Sequence, residues 1–381
     1  YSTDLAPEAL KSAAAAATAA ARQTSADPHN GFPAPPQRVP EPAGLFDEEL
    51  LSLPQETKVA RALALERAAL SGDPRLKKVR RAGYHESVSK VFIRNSRGVN
   101  LARRSTLVSA SVMVMAQEDG GSEMGWDYDF SRRFAGLDVE VVGQRAARRA
   151  LGALGGRPVA TCACPALLES HVAAEMLELV GASLLAESVQ KGKSLFANRL
   201  SEQVASPLLT LIDDGLRPGG LETAPFDDEG NPRQRTTLIE GGRLVGFLYD
   251  QYSANRDGCA STGNASRPGA LSPPFPQVSN LYLEPGKLSP EELVSEMGRG
   301  IVITNVLGMH TANPVSGDFS VGASGQWVEG GRLVHPVKGI AISGNILDLF
   351  SRLAVVGSDL RFWGAVGSPS LLVERLDVGG A

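Results

Sequence analysis

This chain of 381 residues is short of several things, and each shortage excludes a class. Its three cysteines, Cys162, Cys164 and Cys259, are too few and odd in number for a disulfide framework, so a reducing cytoplasm is the expected compartment. Charge of one sign is lacking as well. The 38 Lys and Arg residues stand against 42 Asp and Glu, and a net charge of −4 gives no global attraction to nucleic acid or to an anionic membrane. No apolar run approaches a membrane span, and the opening residues are not a signal peptide. No Gly-x-Ser-x-Gly elbow with an assignable base occurs, because Gly322-Ala-Ser-Gly325 lacks that spacing. The stretch from Gly317-Asp318 to Gly325 lacks the strand, glycine loop and helix that cradle a phosphate, so turn chemistry accounts for it.

Turn residues, by contrast, are plentiful. With 41 Gly and 24 Pro, together with long alternating stretches, the chain should be rich in turns and strands, and its length suffices for two cores. The most informative stretch runs from Pro225 to Ser253. Two apolar runs flank Gly241-Gly242, and a Gly-Gly link suits a primed hairpin turn because glycine takes positive φ freely. On the second arm Val245, Phe247 and Tyr249 alternate with Leu244 and Leu248, which predicts a strand covered on both faces. The six letters Glu240-Gly-Gly-Arg-Leu-Val245 return at Glu329–Val334, an offset of 329 − 240 = 89 residues. That is too long for a solenoid period and predicts two hairpins of matching design in one sheet system.

Taken in order, the alanine-rich segment Pro7–Arg22 is a helix and the proline-crowded segment Asp27–Pro42 a wrapping loop. Ser52-x-x-Gln55 reads as a capping box for a helix to about Ser71, with Val59, Leu63 and Leu70 on its buried side. From Leu76 to Ala116 the period is two, with Val108, Ala110, Val112 and Val114 on one face and Met113 and Met115 opposite, so both faces should be covered. Asp119-Gly-Gly121 should break this sheet, after which Trp126, Tyr128 and Phe130 dock a short segment before a helix at Asp138–Leu154. The basic cluster Lys77, Lys78, Arg80 and Arg81 is read as a solvated strand edge in preference to a nucleic-acid patch. A domain boundary is placed at Gly155-Gly156. Beyond it come a strand at Arg157–Cys164 and a helix opened by Pro165 and running to about Val189, with Leu168, Val172, Met176 and Leu179 as its buried stripe. Further strands are expected at Leu208–Ile212 and Asn280–Leu283, and helices at Ser289–Gly298 and Asn345–Leu353. The fold class is α+β. An N-terminal domain of residues 1–155 mixes antiparallel strands with helices, and a sheet-rich C-terminal domain of residues 156–381 carries one long helix.

Several ordered motifs resemble one family. Pro225-Phe-Asp-Asp-Glu-Gly, Tyr252-Ser-Ala, Thr262-Gly-Asn-Ala, Asn280-Leu-Tyr-Leu and Gly317-Asp-Phe-Ser-Val-Gly-Ala-Ser-Gly are similar to TldD/PmbA proteins, the PmbA (TldE) branch above all. The resemblance runs along essentially the whole chain and is densest from Arg157 onward. It implies a two-chain metallopeptidase in which a TldD chain brings zinc on a His-Glu-x-x-x-His helix and the TldE chain brings none. Members of the family have residues ahead of Tyr1, so the opening of the first domain is expected to be missing.

A zinc peptidase needs two or three ligands on one face, an open position for water and a carboxylate base. The family's zinc helix corresponds to Pro165–Val189, which here holds His171 without an adjacent glutamate or a second histidine. No cysteine follows Cys259, whereas the TldD branch resembles a site with a later cysteine ligand. No catalytic residue or metal is therefore expected in this chain, and zinc is expected in a TldD-like partner. The remaining candidates are His171 and Glu175, four apart on one helix face with Glu178 a turn further on, and His310 after the apolar run Ile301–Leu307. A solvated or hydrogen-bonded pair is preferred over a metal site there. Cys162 and Cys164 share a strand face and read as small buried apolar residues. Asp227, Asp228 and Asn264 are candidate substrate-binding residues, although Asp213, Asp214, Asp227, Asp228 and Glu229 are equally explained as capped turns.

The leading expectation is a non-catalytic, TldE-like subunit that binds unfolded or precursor peptides with its partner, with a homodimer possible when isolated. The alternatives are a self-sufficient homodimeric metallohydrolase using His171 and Glu175, and a regulator of a DNA-acting enzyme, in line with older descriptions of the family as gyrase modulators.

Overall fold

The computed structural model describes residues 1–269 and 271–380. The first half of the chain contains α1 (Pro7–Gln23), α2 (Gln55–Leu70), β1 (Leu76–Arg94), β2 (Asn100–Glu118), β3 (Gly121–Ser131) and α3 (Val139–Ala153). The strands form an antiparallel meander in the order β1-β2-β3. Alternation puts Val108, Ala110, Val112, Val114 and Ala116 of β2 on one buried face, where Val142, Ala146 and Ala150 of α3 and Leu65 and Ala69 of α2 complete a core. Asp138 caps α3 by accepting from Glu140 N and Val141 N, leaving fewer orphan donors at its start. Two glycines permit the layers to approach. A Cβ on Gly125 of β3 would overlap the Ala146 carbonyl and the Ala150 backbone, and one on Gly143 would lie 2.7 Å from Ala68 Cβ and 2.8 Å from Leu65 O.

Three local expectations fail here for identifiable reasons. The close α2–α3 contact at Gly143 buries Leu65, Ala68 and Ala69, and leaves Val59 and Leu63 about half exposed. Ser52 does not cap α2; its hydroxyl donates to Glu49 O in the preceding turn, and Pro54 holds the N-cap position. Asp119 and Gly120 do not end the sheet. They have φ of 48° and 80° and form the two-residue turn between β2 and β3, so Trp126 pairs directly with Met113. The face bearing Met113 remains partly open, with Met113 and Met124 each 40% exposed.

The second half begins with β4 (Cys162–Leu168), α4 (Ser170–Ser183), α5 (Ala186–Gln190), β5 (Leu211–Asp214), β6 (Arg235–Glu240), β7 (Arg243–Leu244) and α6 (Gln251–Asp257). It continues with β8 (Ala265–Ser266), β9 (Phe275–Pro276), β10 (Leu281–Leu283), α7 (Pro290–Met297), β11 (Gly300–Leu307), β12 (Asp318–Glu329) and β13 (Arg332–Asn345). Last come α8 (Ile346–Ser351), β14 (Leu353–Val356), β15 (Arg361–Trp363), β16 (Val366–Ser368) and β17 (Leu371–Gly379). Strands β13-β12-β11-β4-β17 close on themselves through a β13–β17 pairing, and β14 adds to the outside of β17. A second sheet has the order β15-β16-β10-β5-β6-β7, and β8 and β9 form a short ribbon. Helix α4 contributes Val172, Met176, Leu177 and Val180 to the large core between these sheets. Capping follows the sequence closely: Ser289 and Glu292 form a capping box on α7, and Asn345 caps α8.

Pro165 does not open a helix. It lies within β4 where the ladder to β17 slips, between the pairs Ala166–Val373 and Cys164–Leu376, and such an irregularity tolerates a residue without N–H. The strand expected at Arg157–Cys164 instead runs Cys162–Leu168, with Arg157 only in an isolated bridge to Val337, and the helix begins at Ser170. Both Gly-Gly turns exist, with φ of 53° and 78° at Gly241-Gly242 and 57° and 69° at Gly330-Gly331. They belong to different sheets, however, and β7 is a two-residue edge strand after which Val245 is 41% exposed.

Candidate functional site

Helix α4 begins where the two halves of the chain meet. His171, its second residue, is 2% exposed and packs between Trp126 of β3 and Trp363 of β15, with ring centroids at 5.8 Å and 5.3 Å. Arg149 of α3 lies over both indoles, and Arg361 lies 3.9 Å above the Trp363 ring. Arg149 Nη2 stands 3.3 Å from His171 Nδ1 and 3.7 Å from Glu169. Because a guanidinium only donates, Nδ1 accepts and the ring proton resides on Nε2. Burial, reinforced by the Arg149 charge, lowers the His171 pKa to about 3, so the ring is neutral at physiological pH. Burial raises Glu169 to about 6 against the opposing pull of Arg149.

The same junction holds a buried ion pair. Asp127 of β3 is fully buried and accepts from Arg361 Nη2 at 2.9 Å, while that nitrogen also donates to Tyr128 O at 2.6 Å. Burial raises the Asp127 carboxyl, and the Arg361 hydrogen bond and charge oppose the shift. Two further arginines tie the halves together. Arg132 donates to the carbonyls of Gly220, Leu221 and Thr223, and Arg103 pairs with Asp228 at 2.7 Å while donating to Phe226 O.

The structure does not bring the sequence candidates into one constellation. Glu175 and Glu178 lie further along α4, where burial raises both; Glu175 reaches about 7, with the Glu178 charge adding to the effect. Among the described residues no hydrogen bond or ion pair joins His171 to Glu175. His310 is exposed on a short turn after β11. Asp227 is fully buried, and its Oδ1 accepts from Glu229 N, Gly230 N and Asn231 N while Oδ2 accepts from Ala265 N. Asn264, 2% exposed, donates to Asp213 and Gln277 O and accepts from Thr262 Oγ1. Asp228 binds Arg103 and the Arg267 N–H. All three side chains thus hold loops together. Sequence pattern reveals neither the Arg149–His171 nor the Arg361–Asp127 contact; it makes Trp126 a docking residue, but nothing near it in sequence points to Trp363.

Zinc needs several nitrogen, sulfur or carboxylate ligands converging on an open position. At α4 the one imidazole is committed to Arg149, two guanidinium cations flank it, and no group of three His, Cys, Asp or Glu side chains that could hold a metal occurs among the described residues. The residues present at α4 do not fit zinc.

Residues 161–380 match the PmbA/TldA metallopeptidase C-terminal domain, and residues 48–154 match the central domain of the same proteins. The chain belongs to the PmbA/TldD metallopeptidase family. It is 32% identical to "Metalloprotease PmbA" of Escherichia coli O157:H7, an alignment covering all of this chain and 82% of that protein. With "Metalloprotease TldD homolog" of Haemophilus influenzae it shares 28% identity over 87% of this chain and 73% of the other. Among solved structures, TldE of Thermococcus kodakarensis superposes with a TM-score of 0.88 at 25% identity, covering 98% of this chain and 85% of that one. A Thermotoga maritima protein described as a putative modulator of a DNA gyrase gives 0.87 at 33% identity, covering 94% and 81%. No helix among the described residues is long and apolar enough to cross a membrane.

Proposed function

We infer that this chain is a non-catalytic, TldE-like subunit of a two-chain zinc metallopeptidase, and that it binds unfolded peptide beside the metal of a TldD-like partner. The observation that carries the reading is the state of α4: its single histidine is buried, neutral and bonded to Arg149. The occurrence of both PmbA-named and TldD-named relatives supports a paired assembly. Zinc then resides in the partner, and this chain supplies no ligand to it. Three cysteines, none of them in a disulfide, support a cytoplasmic setting, and the isolated chain can self-associate in place of the heteropair.

Peptide capture proceeds by strand addition. Strand β1 is 19 residues long, and no strand among the described residues pairs with its outer edge. An extended peptide laid there gains main-chain hydrogen bonds that tolerate sequence variation. The loop around Asp227 meets the tip of the β1–β2 hairpin, where Gly230 approaches Val99, Leu101 and Ile93, and Asp227 ties that loop to Ala265 beside Asn264. In this reading Asp227, Asp228 and Asn264 serve binding by fixing those loops. The test is reconstitution with a TldD-like chain from the same cells, followed by zinc analysis and peptide cleavage. The isolated chain should hold no stoichiometric zinc and cleave nothing, whereas the pair should hold zinc and cleave peptide. One tightly bound zinc per isolated chain together with peptidase activity would overturn the reading in favour of a self-sufficient hydrolase.

A further inference from the structure

Strand β4 begins with Cys162-Ala-Cys164, and the two-residue period of a strand sends both thiols to one side. Their sulfurs stand 3.9 Å apart. Both side chains are half-buried against the large core, and their register partners on β17, Val378 and Leu376, are buried. Burial, with Cys162 beside it, pushes the Cys164 thiol up to about 12 against the opposing pull of Arg299, so this sulfur rests as a thiol until an ion displaces its proton. Pairing along β17 holds the two Cα atoms in place, so only side-chain rotation sets the distance between the thiols.

We propose that Cys162 and Cys164 form a two-coordinate site for a soft thiophilic ion of the class of Cu(I), Ag(I) and Hg(II). Thiolate ligands select soft ions, and geometry then separates the members of that class. Zinc requires four ligands, and no third His, Cys, Asp or Glu completes a group here among the described residues. A linear sulfur–metal–sulfur unit needs its sulfurs about 4.6 Å apart, twice a metal–sulfur bond of about 2.3 Å. The 3.9 Å pair reaches that separation by small side-chain rotations, without moving β4. On binding, two S–H bonds break, two metal–sulfur bonds form and two protons pass to solvent, with no change in oxidation state. Leu376 and Val378 cover one side of the pair, and the Arg299 charge offsets part of the negative charge that a dithiolate of a monovalent ion carries.

The test uses the full chain with Cys259→Ser, which removes the exposed third thiol. Ag(I) is titrated without oxygen, and binding is followed by thiolate-to-metal absorbance and native mass spectrometry. The expected result is saturation at one ion per chain, retained against a large excess of glutathione, with affinity falling at least a hundredfold in Cys162→Ser and in Cys164→Ser. Two ions per chain, or a single-serine variant within threefold of the parent, would overturn the proposal. If either variant loses its native circular dichroism, alkylation of the parent decides. One equivalent of Ag(I) should shield both cysteines from iodoacetamide together, and shielding of only one of them refutes the chelate.

Discussion

Replacing Asp227 with alanine removes one buried carboxylate that accepts four backbone N–H groups. Ala265 N is buried and loses that partner outright, at a cost of about 1–3 kcal/mol. Gly230 N keeps a turn bond to Asp227 O at 3.2 Å, and Glu229 and Asn231 are exposed enough to recruit water, so each of these three contributes about 1 kcal/mol or less. Burial raises the Asp227 pKa, so its removal also relieves a desolvation cost, and the net loss should be about 2–4 kcal/mol. For a unit of this size that lowers Tm by roughly 5–15 °C, read by calorimetry or by the thermal loss of circular dichroism. Asp227→Asn keeps the acceptor used by the three loop N–H groups but can turn its amide towards Ala265 N, and should lie between alanine and the native residue. A melting temperature within 1 °C of the unmodified chain for Asp227→Ala would show that the side chain does not hold the loop, and the role assigned to it in peptide capture would fall with it.

Two further perturbations probe other layers of the structure. Gly125→Ala places a methyl group into the α3 backbone, where neither neighbour is a flexible side chain, and should cost about 3 kcal/mol and lower expression of folded protein; a neutral result would mean β3 and α3 separate freely. Glu175 is raised from the usual carboxylate value of 4.5 to about 7, so the folded chain holds its proton more tightly than the unfolded chain. The resulting stability is fully present below pH 4.5 and is lost as pH rises through 7, so Glu175→Gln should raise Tm at pH 8 and leave it unchanged near pH 4; equal effects at both pH values would contradict the assignment.

Local rules were the most legible part of this sequence. The Gly-Gly turns, the Asp138 and Ser289 starts and the alternation of β2 each depend on residues a few positions apart, and each appears in the structure. Errors arose where tertiary contact outweighed local preference. Helix α2 turns its alanines inward because α3 crosses it at Gly143, a fact absent from its own periodicity. Pro165 mimics a helix start, yet the slip in the β4–β17 ladder absorbs it. At the candidate site, the sequence showed that α4 lacks a His-Glu pair, but not what His171 does instead. Its surroundings come from Trp126, Arg149 and Trp363, brought together only once both halves have packed. The buried partnership of Asp127 with Arg361 spans 361 − 127 = 234 residues, and no spacing rule reaches that far.

The closure of the barrel by β17 bears on synthesis. Val378 pairs with Cys162, so the seam joins positions 378 − 162 = 216 residues apart. The meander β1–β3 is assembled from consecutive segments and can form while translation continues, but β4 must wait for nearly the whole of the second half to emerge. Until then its Leu167 and Leu168 lack their β17 partners Leu372 and Leu371, a sticky interval in which nascent chains are prone to aggregation. Fusions that crowd residues 371–379 should therefore lower the yield of soluble protein more than fusions ahead of α1, whose residues are almost all solvent-facing.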